Sequence, residues 1–261
     1  MKKIVVSPQI VIYQNAIESS NEIINYLEGN PRGIFNPWQD WYSQGYRTNL
    51  FIDKNNLYKH EDKELNRQNY IILNLINSFE KIVSDYFNDF GQSKGMWPSF
   101  IKNWNKIKYR HDIYNIDFFK YEYDKVKKNY KYENNNLLLE YHVDEFINLN
   151  KKEKHVVTVN FYLNDDYEGG EICMYDSISK KVYRYKPKAG DVVIMPSTSP
   201  FYHAVKYFHN KDRYFCRIFV DYNDDSIIND SDNIILEDQY VKDHLQTIKI
   251  FENEIVIGEN I

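Results

Sequence analysis

An α+β fold whose second half is a β jelly roll is what this sequence predicts, on three observations. An apolar three-four rhythm runs through Ile72, Leu75, Ile76, Phe79, Ile82, Val83, Tyr86 and Phe87, the pattern of a long amphipathic helix whose stripe is core. After Tyr114 the pattern changes to short β-rich runs, separated by turn residues such as Asn164–Asp166, Gly169–Gly170 and Ala189–Asp191. About eight such runs fall within roughly 110 residues, the density of a sandwich or jelly roll.

Taken in order, residues 4–13 read as one or two short strands, with Pro8 as an edge or break because proline donates nothing to a ladder. Asn15–Gly29 reads as a helix through Ile17, Ile23, Ile24 and Leu27, stopped by Gly29. Pro31–Leu57 is aromatic and punctuated by Gly and Pro, which predicts loop with short strands. The strongest helix spans about Glu61–Phe90, with Gly91 as its cap. Strands are expected near 114–123, 138–144, 155–163, 170–175, 181–186, 191–195, 201–207 and 213–221. Tyr132–Asn136 reads as an inserted loop, and the lysine-rich stretches Lys125–Lys131 and Lys151–Lys154 as solvated loops. The parts form one domain: an N-terminal strand and helix region (1–113), the jelly-roll core (114–222) and an acidic extension (223–261). Apolar groups in that extension, Ile234–Leu236, Ile248–Phe251 and Ile255–Ile257, predict that it packs back.

A chain of 261 residues can bury a core without disulfide or metal staples. With 43% apolar and 27% charged residues it has an ordinary globular balance. Its 24 tyrosines against three alanines (Ala16, Ala189, Ala204) reflect AT-rich codons and say little about function. No apolar run approaches the ~20 residues of a membrane helix. Met1–Tyr13 is interrupted by Ser7, Pro8 and Gln9 with no small-residue cleavage site after it, so no secretory signal is expected. Two cysteines, Cys173 and Cys216, make no disulfide framework and lie in no CxxC, which fits a reduced, cytoplasmic setting. From Asp221 onward eleven acidic residues face two lysines, a net of −9 within a total of −5, leaving +4 on residues 1–220. Such a body suits an anionic small ligand and argues against duplex DNA, which needs a dense Lys/Arg stripe.

Chemistry gathers at YHVDE, residues 141–145. In a strand, residues two apart share a face, so His142 and Asp144 are expected to point inward together. Two histidines and a carboxylate form the facial triad that holds Fe(II) with positions left open. A third ligand must come from another strand, and His203 of FYHAV is placed for it, with His209 in the polar HNKD loop as the alternative. Arg213 follows in DRYFCRIFV, and a buried arginine needs an anionic partner. A carboxylate such as the distal one of 2-oxoglutarate matches the guanidinium fork. Arg217 shares a strand face with Arg213 and is the alternative anchor, whereas Cys216 should face away from both. His155 reads as a surface residue, and His60, His111 and His244 carry no partner pattern.

YHVDE, VVTVNFYLNDDYEGGEICMYD, YKPKAGDVVIMPSTSPFYHAV and DRYFCRIFV stand in the order found in the 2-oxoglutarate and Fe(II)-dependent dioxygenases. Over about 121–221 the chain resembles their prolyl 4-hydroxylase-like branch, and IVIYQNAI before a helix looks like that family's opening. The resemblance implies a double-stranded β-helix (jelly roll) core with N-terminal helices packed on one sheet. It implies His142, Asp144 and His203 as iron ligands, Arg213 and Tyr162 as 2-oxoglutarate contacts, and Tyr121 as a residue lining the pocket. Gly169–Gly170–Glu171 would start a strand, and Pro187–Asp191 would form the turn before the strand that precedes His203.

The implied activity couples oxidative decarboxylation of 2-oxoglutarate, by O2, to hydroxylation of a C–H bond, with succinate and CO2 released and ascorbate as a further family cofactor. Asp144 argues hydroxylation, since related halogenases carry a small residue there. The expected substrate is a peptidyl or free prolyl residue, with a protein, peptide or small molecule as partner. Trp38, Trp41, Tyr42, Trp97 and Trp104 are expected to pack between helices and barrel rather than line a substrate groove. Three features depart from the family pattern. YEYDKVKKNYKYENNN lacks the usual Tyr-x-x-Gly and is longer, which leaves the substrate open; the anchor is arginine where collagen-type enzymes have lysine; and no separate peptide-binding domain is visible. One rival reading is nucleic-acid dealkylation, but related dealkylases carry a second arginine six residues after the first, where this chain has Phe219. The other is a jelly-roll binding module retaining the iron site as a relic, against which the complete triad and Arg213 count.

Overall fold

The computed structural model describes residues 1–7, 9–29, 35–57, 61–90, 107–129, 136–144, 147–148, 153–176, 179–198, 201–223 and 254–258. The N-terminal part contains β1 (Lys2–Ser7), β2 (Ile10–Gln14), α1 (Ser20–Glu28), β3 (Gln39–Trp41), β4 (Gly45–Asp53) and α2 (Lys63–Phe90). After it come β5 (Ile107–Lys108), β6 (Ile113–Tyr121), α3 (Tyr123–Asn129), β7 (Leu137–His142), β8 (Ile147–Asn148) and β9 (Glu153–Tyr162). The remaining elements are β10 (Glu168–Gly169), β11 (Ile172–Asp176), β12 (Lys181–Tyr185), β13 (Val192–Pro196), β14 (His203–Lys206), β15 (Phe208–His209), β16 (Arg213–Asn223) and β17 (Glu254–Ile257).

Two sheets face each other as the predicted jelly roll. The larger runs β1-β2-β13-β9-β16-β6-β4-β3, with β5 beside β16 and β8 beside β9, and the smaller runs β17-β12-β11-β14-β7. Alternation along the large sheet sends every second side chain to each face. Tyr214, Cys216, Ile218, Val220 and Tyr222 of β16 join Ile71, Leu75, Phe79, Ile82 and Tyr86 of α2 in one core. Phe215 of β16, with Phe119, Tyr121 and Tyr162, meets Ile172, Met174 and Tyr185 of the small sheet in a second. Helices α1 and α2 therefore cover one face of the large sheet, as the α+β reading requires, and the interior between the sheets is left for the site.

Register arranges the inner face in rows. Arg47 of β4 opposes Phe119, which opposes Phe215, which opposes Tyr162. One step along, Asn49, Asp117, Arg217 and Asn160 line up across the same four strands. Gly45 lets β4 close on β6, because a Cβ there would lie 1.9 Å from the Lys120 carbonyl oxygen.

Several expectations on local structure are corrected. α1 starts at Ser20, not Asn15, because the chain before it is tied to the Ala189–Asp191 turn. The N–H groups of Ala16 and Ile17 donate to the Gly190 carbonyl, and that of Asn15 donates to Asp191 Oδ1. α2 starts at Lys63 with Asp62 as its cap, the Asp62 carboxylate accepting from Glu64 N–H at 2.7 Å. The expected cap Gly91 lies outside the described residues. Pro31–Leu57 contains a nine-residue strand, β4, rather than short strands alone. Tyr123–Asn129 is a helix rather than a solvated loop, anchored by the fully buried Val126. Lys154 is buried inside β9, so that run is not a solvated loop there. In the extension, β17 pairs parallel with β12, Ile255 opposite Tyr183, as its apolar residues predicted. The other two apolar groups of the extension, and the loop 130–135, lie outside the described residues.

Candidate active site

A cavity of about 660 Å³ lies between the sheets, with the triad at one end and Arg213 deep in its wall. β7 ends at His142, so Asp144 sits just past the strand rather than on its face as the two-residue spacing suggested. β14 pairs with β7 so that His203 stands opposite His142. Asp144 then turns in beneath both rings, with Oδ1 3.9 Å from His142 Nε2 and Oδ2 3.5 Å from His203 Nε2. One ligand atom from each of the three residues falls within 4.8 Å of the others. His209 is instead in β15, paired with Glu168 away from this cluster.

Protonation suits a cation. His142 Nδ1 lies 2.7 Å from the Glu140 carbonyl, which can only accept, so Nδ1 donates and the neutral ring has its lone pair on Nε2, facing the cluster. Burial, with His142 nearby, holds His203 down to about 3 despite the attraction of Asp144, so its ring is neutral at ordinary pH. Burial pushes the Asp144 carboxyl up, but Arg217, the two imidazoles and the Thr158 hydroxyl outweigh it and bring it down to about 2. Two imidazoles and one carboxylate are the donor set a divalent metal takes. The buried His203 Nδ1 has no hydrogen-bond partner among the described residues.

Arg213 is 1% exposed, and among the described residues its Nε and Nη1 find no partner. Aromatic rings surround it: Phe215, Tyr162, Tyr121 and Tyr167 have centroids 5.0, 5.3, 5.5 and 6.0 Å from its guanidinium carbon. Arg213 stands opposite Tyr121 in the β16–β6 ladder, which brings both into the cavity wall with Tyr162. Arg217 is positioned differently: Nη1 donates to Asp144 Oδ1 at 2.7 Å, and Nη2 lies 3.7 Å from Asp117. Asp117 in turn accepts from Arg47 and Asn49, each at 2.8 Å. Cys216 faces the opposite core, as expected.

Sequence reasoning missed the Asn49–Asp117–Arg217 row. Its signal is alternation, since Arg213, Phe215 and Arg217 share a face, but the pairing partner was not readable. Trp41 and Tyr42 line the cavity, against the expectation of packing between helices and barrel, with Trp41 stacked on Tyr121 at 5.7 Å. Trp38 does pack at the helix side, donating to Glu28 and leaning on Tyr214, while Trp97 and Trp104 lie outside the described residues. His155, expected at the surface, is partly buried, stacked on Phe219 at 4.0 Å and bonded to Asp221.

A jelly roll with two histidines and an aspartate at one end of an inter-sheet cavity has the architecture of an iron-dependent oxygenase. Residues 128–221 match the family model of the 2OG-Fe(II) oxygenase superfamily. The matched stretch holds His142, Asp144, Tyr162, His203 and Arg213; Tyr121 precedes it. No curated protein matches the chain. Among solved structures, the chain is similar to a Trichoplax adhaerens prolyl hydroxylase in complex with a hypoxia inducible factor peptide fragment. That match has 17% identity, a TM-score of 0.50, and covers 82% of this chain and 84% of that one. A dioxygenase for auxin oxidation from Arabidopsis thaliana, bound to 2-oxoglutarate, matches at 11% identity and TM-score 0.50, covering 81% and 82%. A Pseudomonas putida prolyl-4-hydroxylase matches at 10% identity and TM-score 0.46, covering 83% and 93%. At these identities the likeness is one of fold.

Proposed function

We propose that this protein is a 2-oxoglutarate- and Fe(II)-dependent dioxygenase that hydroxylates a prolyl residue, peptidyl or free. The observation that carries the reading is a single cavity with three convergent metal-type donors at one end and, in its wall, a buried guanidinium with two donor nitrogens unsatisfied among the described residues. His142, Asp144 and His203 hold the metal. Arg213 binds the distal carboxylate of 2-oxoglutarate, with Tyr162 and Tyr121 flanking it. When bound, iron with 2-oxoglutarate and O2 supplies the oxidising power for C–H hydroxylation, with succinate and CO2 as coproducts.

The chain's own residues do the rest. The Glu140 carbonyl fixes the His142 tautomer, and Thr158 and Arg217 each hold one oxygen of Asp144. The rings around Arg213 exclude water and strengthen its grip on a carboxylate, because charge pairing gains in a low-dielectric site. The stacked Trp41 and the exposed Tyr42 offer a prolyl ring an apolar wall. The prolyl assignment rests on the sequence resemblance and that wall; ascorbate belongs to the same assignment. Cys173 and Cys216, both buried, suit a reducing, cytoplasmic setting. At the position of a dealkylase's second arginine, Phe219 is stacked on His155, which removes that cation from the site.

Anaerobic addition of Fe(II) and then 2-oxoglutarate should produce the weak visible charge-transfer band of the chelate. The band should be lost in His203→Ala and much weakened in Arg213→Ala. No band in folded wild-type protein would overturn the proposal.

A further inference from the structure

Beyond its bond to one oxygen of Asp144, Arg217 has no place in the chemistry assigned so far, yet it lines the cavity beside the metal-type cluster. Its side chain is only 19% exposed and lies over the rings of Phe119 and Phe219, 5.0 and 4.6 Å from their centroids. Among the described residues its ion pairs are with Asp144 and Asp117, at 2.7 and 3.7 Å. Neither carboxylate belongs to Arg217 once the site is loaded. Asp117 is neutralised by Arg47, at 2.8 Å and with a second hydrogen bond from Asn49. A divalent cation in the triad offsets Asp144 together with one carboxylate of 2-oxoglutarate, and Arg213 offsets the other. Arg217 can keep its one bond to Asp144 Oδ1, but it carries a positive charge without an anion of its own. Its Nε is buried with no partner among the described residues. Glu140, the other carboxylate lining the cavity, is exposed at the rim.

A half-buried cation with spare donors favours a ligand that supplies the missing charge, and a carboxylate meets a guanidinium in two parallel bonds. Arg217 touches the same carboxylate that would hold the metal, so any anion it takes lies within one residue's length of the oxidised carbon. The cavity, about 660 Å³ for cosubstrate and substrate together, has the size of a small-molecule site.

We propose that Arg217 is a specificity-determining residue that binds the substrate's own carboxylate. The substrate is then a free carboxylic acid such as an amino acid, or a chain-terminal residue, rather than a residue internal to a polypeptide. This rests on the dioxygenase reading above and narrows its substrate class.

The test uses protein loaded with Mn(II) and N-oxalylglycine, which hold the site without turnover. The paramagnetic broadening of ligand proton signals is then measured by NMR. Broadening of the N-oxalylglycine protons in wild type checks the underlying reading; its absence there would overturn both. Three acid and amide pairs follow: L-proline and L-prolinamide, N-acetyl-L-proline and its amide, isobutyrate and isobutyramide. The acids should be bound about tenfold more tightly than their amides. Arg217→Met, compared at an Mn(II) concentration that gives the same N-oxalylglycine broadening as wild type, should erase that preference, and Arg217→Lys should retain part of it. L-Proline above N-acetyl-L-proline identifies a free acid, and the reverse a chain terminus. Equal broadening for acids and amides, or none for either, overturns the proposal, as does a preference that survives Arg217→Met.

Discussion

The guanidinium carbon of Arg213 lies 5.3 Å from the ring centroid of Tyr162, and both side chains are almost wholly removed from solvent. Burial raises the Tyr162 phenol, even against the opposing charge of Arg213, so the tyrosine stays a neutral donor and supplies no counter-charge. Aromatic faces attract the cation, each by about 0.5–2 kcal/mol, which falls short of the several kcal/mol that removing an ion from water costs. The cavity wall is therefore under electrostatic tension that an anion relieves.

Replacing Arg213 with Met removes that uncompensated charge with little loss of volume. The ligand-free variant should be at least as stable as wild type, and more stable by about 1 kcal/mol where the side chain repacks well. Its melting temperature should no longer rise on adding Mn(II) with 2-oxoglutarate beyond the rise from Mn(II) alone. A large loss of ligand-free stability would show that Arg213 is a structural residue and not an anion anchor.

The triad members should separate in a denaturant titration. Asp144 is buried and pairs with Arg217, so Asp144→Ala leaves a half-buried cation with only its 3.7 Å contact to Asp117 and should cost about 3 kcal/mol. His142 is 38% exposed in its side chain, and His142→Ala should cost less than ~1 kcal/mol. Both variants should lose tight Fe(II) or Mn(II) binding. Comparable stability losses in the two would contradict the ion pair drawn here.

Acid sensitivity of the metal-free protein should be traceable to His203. Its folded value, about 3, lies below the ordinary imidazole value of about 6.5, so the unfolded chain binds a proton that the folded chain refuses. Stability should fall as pH drops from about 6.5 towards 3, with this one group contributing up to ~1.4 kcal/mol per pH unit. His203→Gln should flatten the dependence in that window. Asp144 acts in the same direction but lower: its contribution is present above about 4 and lost as pH falls towards 2.

Much of this arrangement is legible in the chain, because local patterns specify it. Alternation around Phe215 separates the cavity face from the helix face, and the apolar stripe of α2 announces the layer that covers the sheet. His142, Asp144 and His203 are legible as residue types at a plausible spacing, although the strand ends sooner than the spacing implies. Partners across a ladder are not legible, because register depends on bulges and turns far away in sequence. Nothing near Arg217 points to Asp117, a hundred positions earlier, or to Arg47 beyond it. The same limit hid α3: its lysines read as solvated loop, while a single buried valine, Val126, holds the turn against the core. Trp41 and Tyr42 were misassigned because an aromatic cluster looks alike whether it fills a core or lines a wall.

Lys186 offers a readout of 2-oxoglutarate binding that does not depend on iron or turnover. Its ammonium donates to the carbonyls of Tyr167 and Gly169 at 2.8 and 2.5 Å and sits 3.5 Å from the Tyr167 ring centroid. Burial, and then the charge of Arg213, push it down to about 8. A carboxylate on Arg213 cancels the second influence, so the Lys186 value should rise and a proton should be taken up as 2-oxoglutarate binds. At pH 8.5, calorimetry of Mn(II)-loaded protein should give binding heats that differ between buffers of high and low ionisation enthalpy, with a fractional proton absorbed. Lys186→Met should bind 2-oxoglutarate with heats that no longer depend on the buffer. Buffer-independent heats in wild type at this pH would mean that the cosubstrate's charge does not reach Arg213.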